Sequence, residues 1–179
     1  MIVLTAVGKD RPGIASRVTR VLYESDCNIE DASMTILCGE FAILLMLSAP
    51  PGLDLRELDE RFDAVRHDME LLVALRDVTS DPGPGEELDG RPAYVVSVTG
   101  ADKPGIVWRV TDLLAAGGAN ITDLESKVVQ SGAARVYLLV LEIVVPQGTD
   151  LPALEGRLRE LGAEIGVEIH VNPLETAAL

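Results

Sequence analysis

The segment Gly8-Lys9-Asp10-Arg11-Pro12-Gly13-Ile14 returns as Gly100-Ala101-Asp102-Lys103-Pro104-Gly105-Ile106, displaced by 92 positions. The register extends well beyond the motif. From Val3 to Asp31, and again from Val95 to Asp123, thirteen of 29 ungapped positions are identical. Composition alone produces far fewer matches, so the chain reads as one small domain written twice. A unit of about 80 to 90 residues lies near the small end of what folds alone, so packing is expected to help hold the copies. The domains are expected at 1–79 and 92–179. Residues 80–91 form a linker on composition, since Ser80-Asp81-Pro82-Gly83-Pro84-Gly85-Glu86-Glu87 carries no apolar periodicity.

Within the first copy the pattern predicts a strand over 2–8, a helix over 12–26 and strands over 29–38 and 41–49 about a Gly39-Glu40 turn. Leu55, Leu58, Phe62 and Val65 then mark a second helix, and 71–78 a last strand. The second copy predicts strand 93–99, helix 104–116, strands 121–130 and 135–145, helix 150–161 and strand 164–171. Its hairpin is expected to be about three residues longer near Gly132. The order βαββαβ defines an α+β class, a ferredoxin-like antiparallel sheet with both helices on one face. Residues 41–47 and 137–145 are apolar without alternation, Glu142 excepted. Both faces of these strands are therefore expected to be buried, the helix-free face against a sheet of the sister domain or of a second chain, as in a homodimer.

The formal charge of −14 divides as −6 over 1–79, −3 over 80–91 and −5 over 92–179, so neither half hides a basic face. Nucleic-acid binding draws on Lys and Arg neutralising phosphates, and the same field opposes an anionic membrane. Small solutes and other proteins remain as partners. Strand-like sequence begins at Ile2, with no basic-then-apolar leader before it, and the longest apolar runs are far too short to span a bilayer. Cys27 and Cys38 have no counterparts in the second copy, which favours reduced, buried thiols over a disulfide framework. A cytoplasmic protein is expected.

The repeated turn is the foremost candidate site. Pro12 and Pro104 suit a first helical turn, and Asp10 and Asp102 can cap the amides ahead of them. Gly13 and Gly105, within that turn, run against helix propensity by about 1 kcal/mol relative to alanine. A missing side chain lets a ligand approach a helix N-terminus, where amides and dipole favour an anion such as a carboxylate. The alternative is a capped turn whose glycine gives clearance between helices. Asn28 and Asn120, at the junction of first helix and second strand, read either as chain-reversal residues or as amides offered to a polar ligand. His67 and His170 lack repeat partners, Cys27 and Cys38 lack zinc spacing, and neither a phosphate loop nor a nucleophile elbow occurs. No metal, cofactor or catalytic residue is expected. Trp108 is expected in the core or an interface.

The pattern G-x-D-[RK]-P-G-I, a helix, then N-I at the next strand, in βαββαβ order, resembles the ACT domain, a regulatory module that binds amino acids. The resemblance covers nearly the whole chain, twice. It implies a ligand held between paired domains by the β1–α1 loop and the asparagine after the first helix. The residues so implicated are Asp10, Arg11, Pro12, Gly13, Ile14 and Asn28, with Asp102, Lys103, Pro104, Gly105, Ile106 and Asn120. The function it implies is non-catalytic control of amino-acid metabolism, sensing a small amino acid and acting through a protein partner. The competing enzyme is a ferredoxin-like acylphosphatase, with Arg11 and Asn28 or Lys103 and Asn120 on phosphate. Lysine is a poor bidentate phosphate ligand, and the negative field opposes an anionic substrate. A sheet that binds RNA would need aromatics on the central strands, and these have none at 3–7 or 42–47.

Overall fold

The computed structural model describes residues 1–79, 90–131 and 134–174. The chain divides into two compact units, Met1–Glu86 and Glu87–Leu179. Most of the expected linker, and Gly132 of the longer hairpin, lie outside the described residues. Unit 1 runs β1 (Ile2–Lys9), α1 (Ile14–Glu24), β2 (Asn28–Leu37), β3 (Glu40–Ser48), α2 (Leu55–Arg61), α3 (Asp63–Met69) and β4 (Leu72–Asp77). Unit 2 runs β5 (Ala93–Ala101), α4 (Ile106–Ala116), β6 (Asn120–Ser131), β7 (Ala134–Val144), α5 (Leu151–Ile165) and β8 (Val167–Pro173). The sheets, ordered β2-β3-β1-β4 and β6-β7-β5-β8, are antiparallel throughout. This is the ferredoxin-like order the sequence predicts.

Each core forms where helical spacing meets strand alternation. Ile14, Val18 and Leu22 of α1 bury against Leu4 and Ala6 of β1 and Phe41, Ile43, Leu45 and Leu47 of β3. Ile106, Val110 and Leu114 do the same over Val96, Val98, Leu139, Leu141 and Ile143. The expected second helix of unit 1 is broken in two at Phe62, which is fully buried and ends one helix as it begins the next. Arg66 braces the break: its guanidinium donates to the Asp59 carbonyl at 2.7 Å and to the Val73 carbonyl at 3.0 Å, and pairs with the Asp59 carboxylate. In unit 2 the corresponding helix is continuous and runs four residues past the expected end, so β8 starts later than the pattern indicates.

Two further expectations are corrected. The β2–β3 turn is Cys38-Gly39, not Gly39-Glu40; both residues have positive φ, 53° and 83°, as a two-residue primed turn requires, and Glu40 already pairs with Leu37. Cys38 at this tip is exposed rather than buried. In the uninterrupted apolar run of β3 one face is fully buried and the other partly so. Phe41, Ile43, Leu45 and Leu47 are core, whereas on the helix-free face Ala42 and Met46 are half-buried and Leu44 is 50% exposed.

Close approach of strand and helix is set by glycine. A Cβ at Gly8 would lie 2.8 Å from Leu71 Cδ2 and 2.9 Å from the Glu70 carbonyl, and one at Gly100 would lie 2.7 Å from Val167 Cγ1. On α5, a Cβ at Gly162 would lie 2.7 Å from the Val167 carbonyl, whereas one at Gly156 would meet nothing within 4 Å. Helix propensity alone favours alanine at either position by about 1 kcal/mol. We therefore expect opposite signs on one helix: Gly156→Ala raises the stability measured by denaturant unfolding by up to about 1 kcal/mol, and Gly162→Ala lowers it. Equal stabilisation by both changes would contradict this packing.

Candidate functional site

The Asp-x-Pro-Gly segments are turns ahead of the helices rather than their first turns. Gly13 has φ 94° and ψ −3°, Gly105 φ 92° and ψ −7°, and α1 and α4 begin at the following isoleucines. These angles belong to the third residue of a type II turn with proline before it, and the Ile14 amide reaches the Arg11 carbonyl at 3.5 Å. The glycine is thus demanded by left-handed backbone, not by crowding: a Cβ at Gly13 or Gly105 would meet nothing within 4 Å. Pro12 and Pro104 occupy the preceding turn position, which their fixed φ suits.

The helix N-termini carry no side-chain cap. Asp10 and Asp102 do not bond to the amides of α1 and α4. Asp10 instead donates its backbone N–H to the Gly39 carbonyl at 2.8 Å, and Asp102 lies 3.9 Å from Arg135. The second helices are capped in the ordinary way, by Asp54 on the Arg56 amide at 2.9 Å and by Asp150 on the Ala153 amide at 3.1 Å. Each unit therefore caps one helix with aspartate and leaves the other open beneath a bare glycine.

The motif's cations are spent on structure. Arg11 pairs with Glu70 at the end of α3, and Lys103 Nζ donates to the Ile165 carbonyl at 3.2 Å, at the end of α5, where a cation also suits the helix dipole. Arg17 holds Asp68 at 2.9 Å and Arg109 holds Glu164 at 2.7 Å, tying α1 to α3 and α4 to α5. Ile14 and Ile106 are core residues, 2% and 3% exposed, so only their backbone can meet a ligand. Arg11, Lys103, Ile14 and Ile106, expected at a ligand, thus have their side chains engaged within their own unit.

Asn28 and Asn120 lie at the far end of the sheet from the turns. Asn28 pairs with Ser48 at one end of β3, while Lys9, just before the turn, pairs with Glu40 at the other. Eight residues of strand separate those ends, roughly 26 Å. One amino acid cannot touch both within a unit. Both asparagines precede a bulge, at Glu30 and at Thr122. In unit 1 the Glu30 carboxylate fills that bulge, accepting from the Ser48 hydroxyl and from Asn28 Nδ2 at 3.0 Å. In unit 2 the position is Thr122, whose hydroxyl donates to the Glu142 carbonyl at 3.3 Å, and the Asn120 side chain makes no hydrogen bond among the described residues. Asn120 instead opens on a groove of about 420 Å³ between α4 and the start of β6, walled by Trp108, Asp112 and Ala115. Trp108, expected in core or interface, is 68% exposed.

The helices reach Asn28 and Asn120 through matched C-terminal turns. Cys27 N–H bonds the Leu22 carbonyl at 3.0 Å and Ala119 N–H the Leu114 carbonyl at 3.0 Å, about left-handed Asp26 (φ 53°) and Gly118 (φ 74°). Only Gly118 of the Gly117-Gly118 pair needs glycine for its φ.

Each unit is thus a ferredoxin-like α+β domain bearing an open helix N-terminus at one end of its sheet and an asparagine at the other. The family model described as ACT domain matches residues 1–76 and again 93–172, and the chain belongs to the ACT-domain family. It is 29% identical over 174 residues to the glycine cleavage system transcriptional repressor of Escherichia coli, a match covering 96% of this chain and 88% of the relative. A UPF0237 protein of Lactococcus lactis is 42% identical over 77 residues, 43% of this chain and 83% of the relative. Among solved structures, an unknown protein from Galdieria sulphuraria superposes with a TM-score of 0.80 at 24% identity, covering 97% of this chain and 98% of that one. A protein proposed to be a glycine cleavage system transcriptional repressor superposes at 0.67 and 21% identity, covering 98% and 97%. These two show the same fold. No helix of the described residues is long and apolar enough to cross a membrane.

Hydrogen bonds from Ser48 and then Asn28 hold the Glu30 carboxyl below its ordinary range. With the folded value depressed, any stability these bonds supply is present above the unfolded carboxylate range and is lost as pH falls through the folded value. Titration by NMR should show Glu30 ionising below the ordinary carboxylate range, a Ser48→Ala change moving it up, and Asn28→Ala moving it up less. An unmoved Glu30 in Ser48→Ala would remove this bulge network.

Proposed function

We propose that the chain is a non-catalytic regulator of amino-acid metabolism that binds a small amino acid and acts through a protein partner. The observation that carries this reading is the pair of uncapped helix N-termini beneath Gly13 and Gly105, beside second helices that aspartate does cap. Free amides with open space above them suit a carboxylate, and a dipole of positive sign adds to the attraction. Since the turns and the asparagines of one unit lie about 26 Å apart, one amino acid meets only one of them within a unit. Asn120 is the better provided of the two asparagines, because Glu30 occupies the amide of Asn28. Membership in the ACT family and the relation to a glycine cleavage system repressor support control of amino-acid breakdown, glycine cleavage included.

Control of transcription, on this reading, is indirect. The charge of −14 opposes contact with DNA phosphates, so a protein mediates it. A cytoplasmic location follows from that role. The acylphosphatase alternative loses its constellation: Arg11 is paired at the end of α3 and Asn28 stands at the opposite end of the sheet.

Calorimetry of the full chain against the proteinogenic amino acids tests the reading. One of them should bind, and Asn120→Ala should weaken it by about 1–3 kcal/mol, with a smaller loss for Asn28→Ala. Equal binding by the wild type and both variants would place the site elsewhere. No binding at millimolar concentration would reduce the turns to structural devices.

A further inference from the structure

The first helices of the two units present opposite chemistry to the space beside their asparagines. In unit 2 the groove that Asn120 opens on is walled by Trp108 and Asp112, one helical turn apart on α4. At the matching positions of unit 1 stand Ser16 and Arg20. Arg20 is exposed and paired with Glu24 at 2.8 Å. The indole of Trp108 is 68% exposed, and Asp112 makes no ion pair or hydrogen bond among the described residues. Nearby Arg109 is already held by Glu164 at 2.7 Å, and Arg157, with Glu160, lines the groove on the other side of Trp108 and Asp112 without an ion pair among the described residues.

Resting on the amino-acid-binding reading above, but departing from a small ligand at unit 2, we propose that the unit 2 site selects an amino acid whose side chain is a cation. The Asn120 amide takes a polar group of the ligand backbone, and the aliphatic stem lies along Ala115. The terminal ammonium or guanidinium sits on the face of Trp108, against the Asp112 carboxylate. An indole face attracts a cation through its quadrupole, and indole is the best of the aromatic rings at this. The carboxylate adds a direct charge interaction, and the overall field of the chain draws cations and repels anions. The Ser16 and Arg20 pair of unit 1 supplies neither attraction, so the preference belongs to unit 2 alone.

Trp108 is the only tryptophan in the chain, so its fluorescence reports the two grooves that it lines, and the Asn120 side chain distinguishes this one. The test compares L-lysine with L-norleucine, which keeps the carbon chain and lacks the ammonium, following Trp108 emission and calorimetric heat together on the intact protein. Lysine should perturb the emission and bind about tenfold tighter than norleucine at low salt. Asp112→Asn and Trp108→Ala, the latter followed by heat alone, should each cut that ratio to about threefold. Arg20→Ala in unit 1 should leave it unchanged. Norleucine binding as tightly as lysine, or a lysine preference that survives Asp112→Asn, overturns the inference while amino-acid binding stands. Lysine heat without any change in Trp108 emission overturns it too, placing the cation elsewhere. No heat with any amino acid removes both this inference and the reading beneath it.

Discussion

A left-handed glycine between the central strand and the first helix governs both units. With φ near 94° at Gly13 and 92° at Gly105, the chain leaves β1 or β5 through a tight turn and enters the helix at once, so that Ile14 and Ile106 drop into the core. A residue with a side chain strains that conformation, whatever room lies outside it. Proline before the glycine removes an amide and sets φ, and the cation before the proline reaches the end of the second helix. Turn, helix start and helix–helix tie are therefore one device. What it leaves over, a helix N-terminus with no side chain across it, is the feature on which the functional reading stands.

The same device engages the cations of the repeated motif within each unit. Arg11 and Lys103 differ in chemistry yet serve the same place, one through Glu70 and the other through the Ile165 carbonyl. Arg17 and Arg109 bridge to Asp68 and Glu164 in the same way. Exposed pairs of this kind contribute under about 1 kcal/mol each. They join the first helix of each unit to the helix that precedes its last strand. The copies diverge in the core, where Leu4 and Ala6 stand against Val96 and Val98, by apolar exchange, and at Glu30 against Thr122, Ser16 against Trp108 and Arg20 against Asp112 they change polarity or charge.

The repeat, the βαββαβ order and the core faces of α1, β1 and β3 were legible in the residues, because apolar spacing of 3.6 and 2 reports directly on burial. So was the importance of Pro12-Gly13 and Pro104-Gly105, though as helix starts rather than as type II turns. A glycine in that place satisfies either geometry, and only the observed φ separates them. The break at Phe62 had no local signal, since an unbroken apolar stripe runs through it and Arg66 secures it from β4. The half-open face of β3 was equally silent, because an apolar residue is the same letter whether it is covered or not.

Sequence by itself determined that there are two copies of one domain and which face of each first helix is buried; these depend on repetition and spacing along the chain. Only the tertiary structure decided which polar groups remain unspent. Arg11, Lys103 and Asn28 meet partners from elsewhere in the chain or across a bulge, while Asn120 and Asp112 meet none among the described residues. Whether a polar side chain is consumed depends on what arrives beside it from distant sequence, and that is a property of packing.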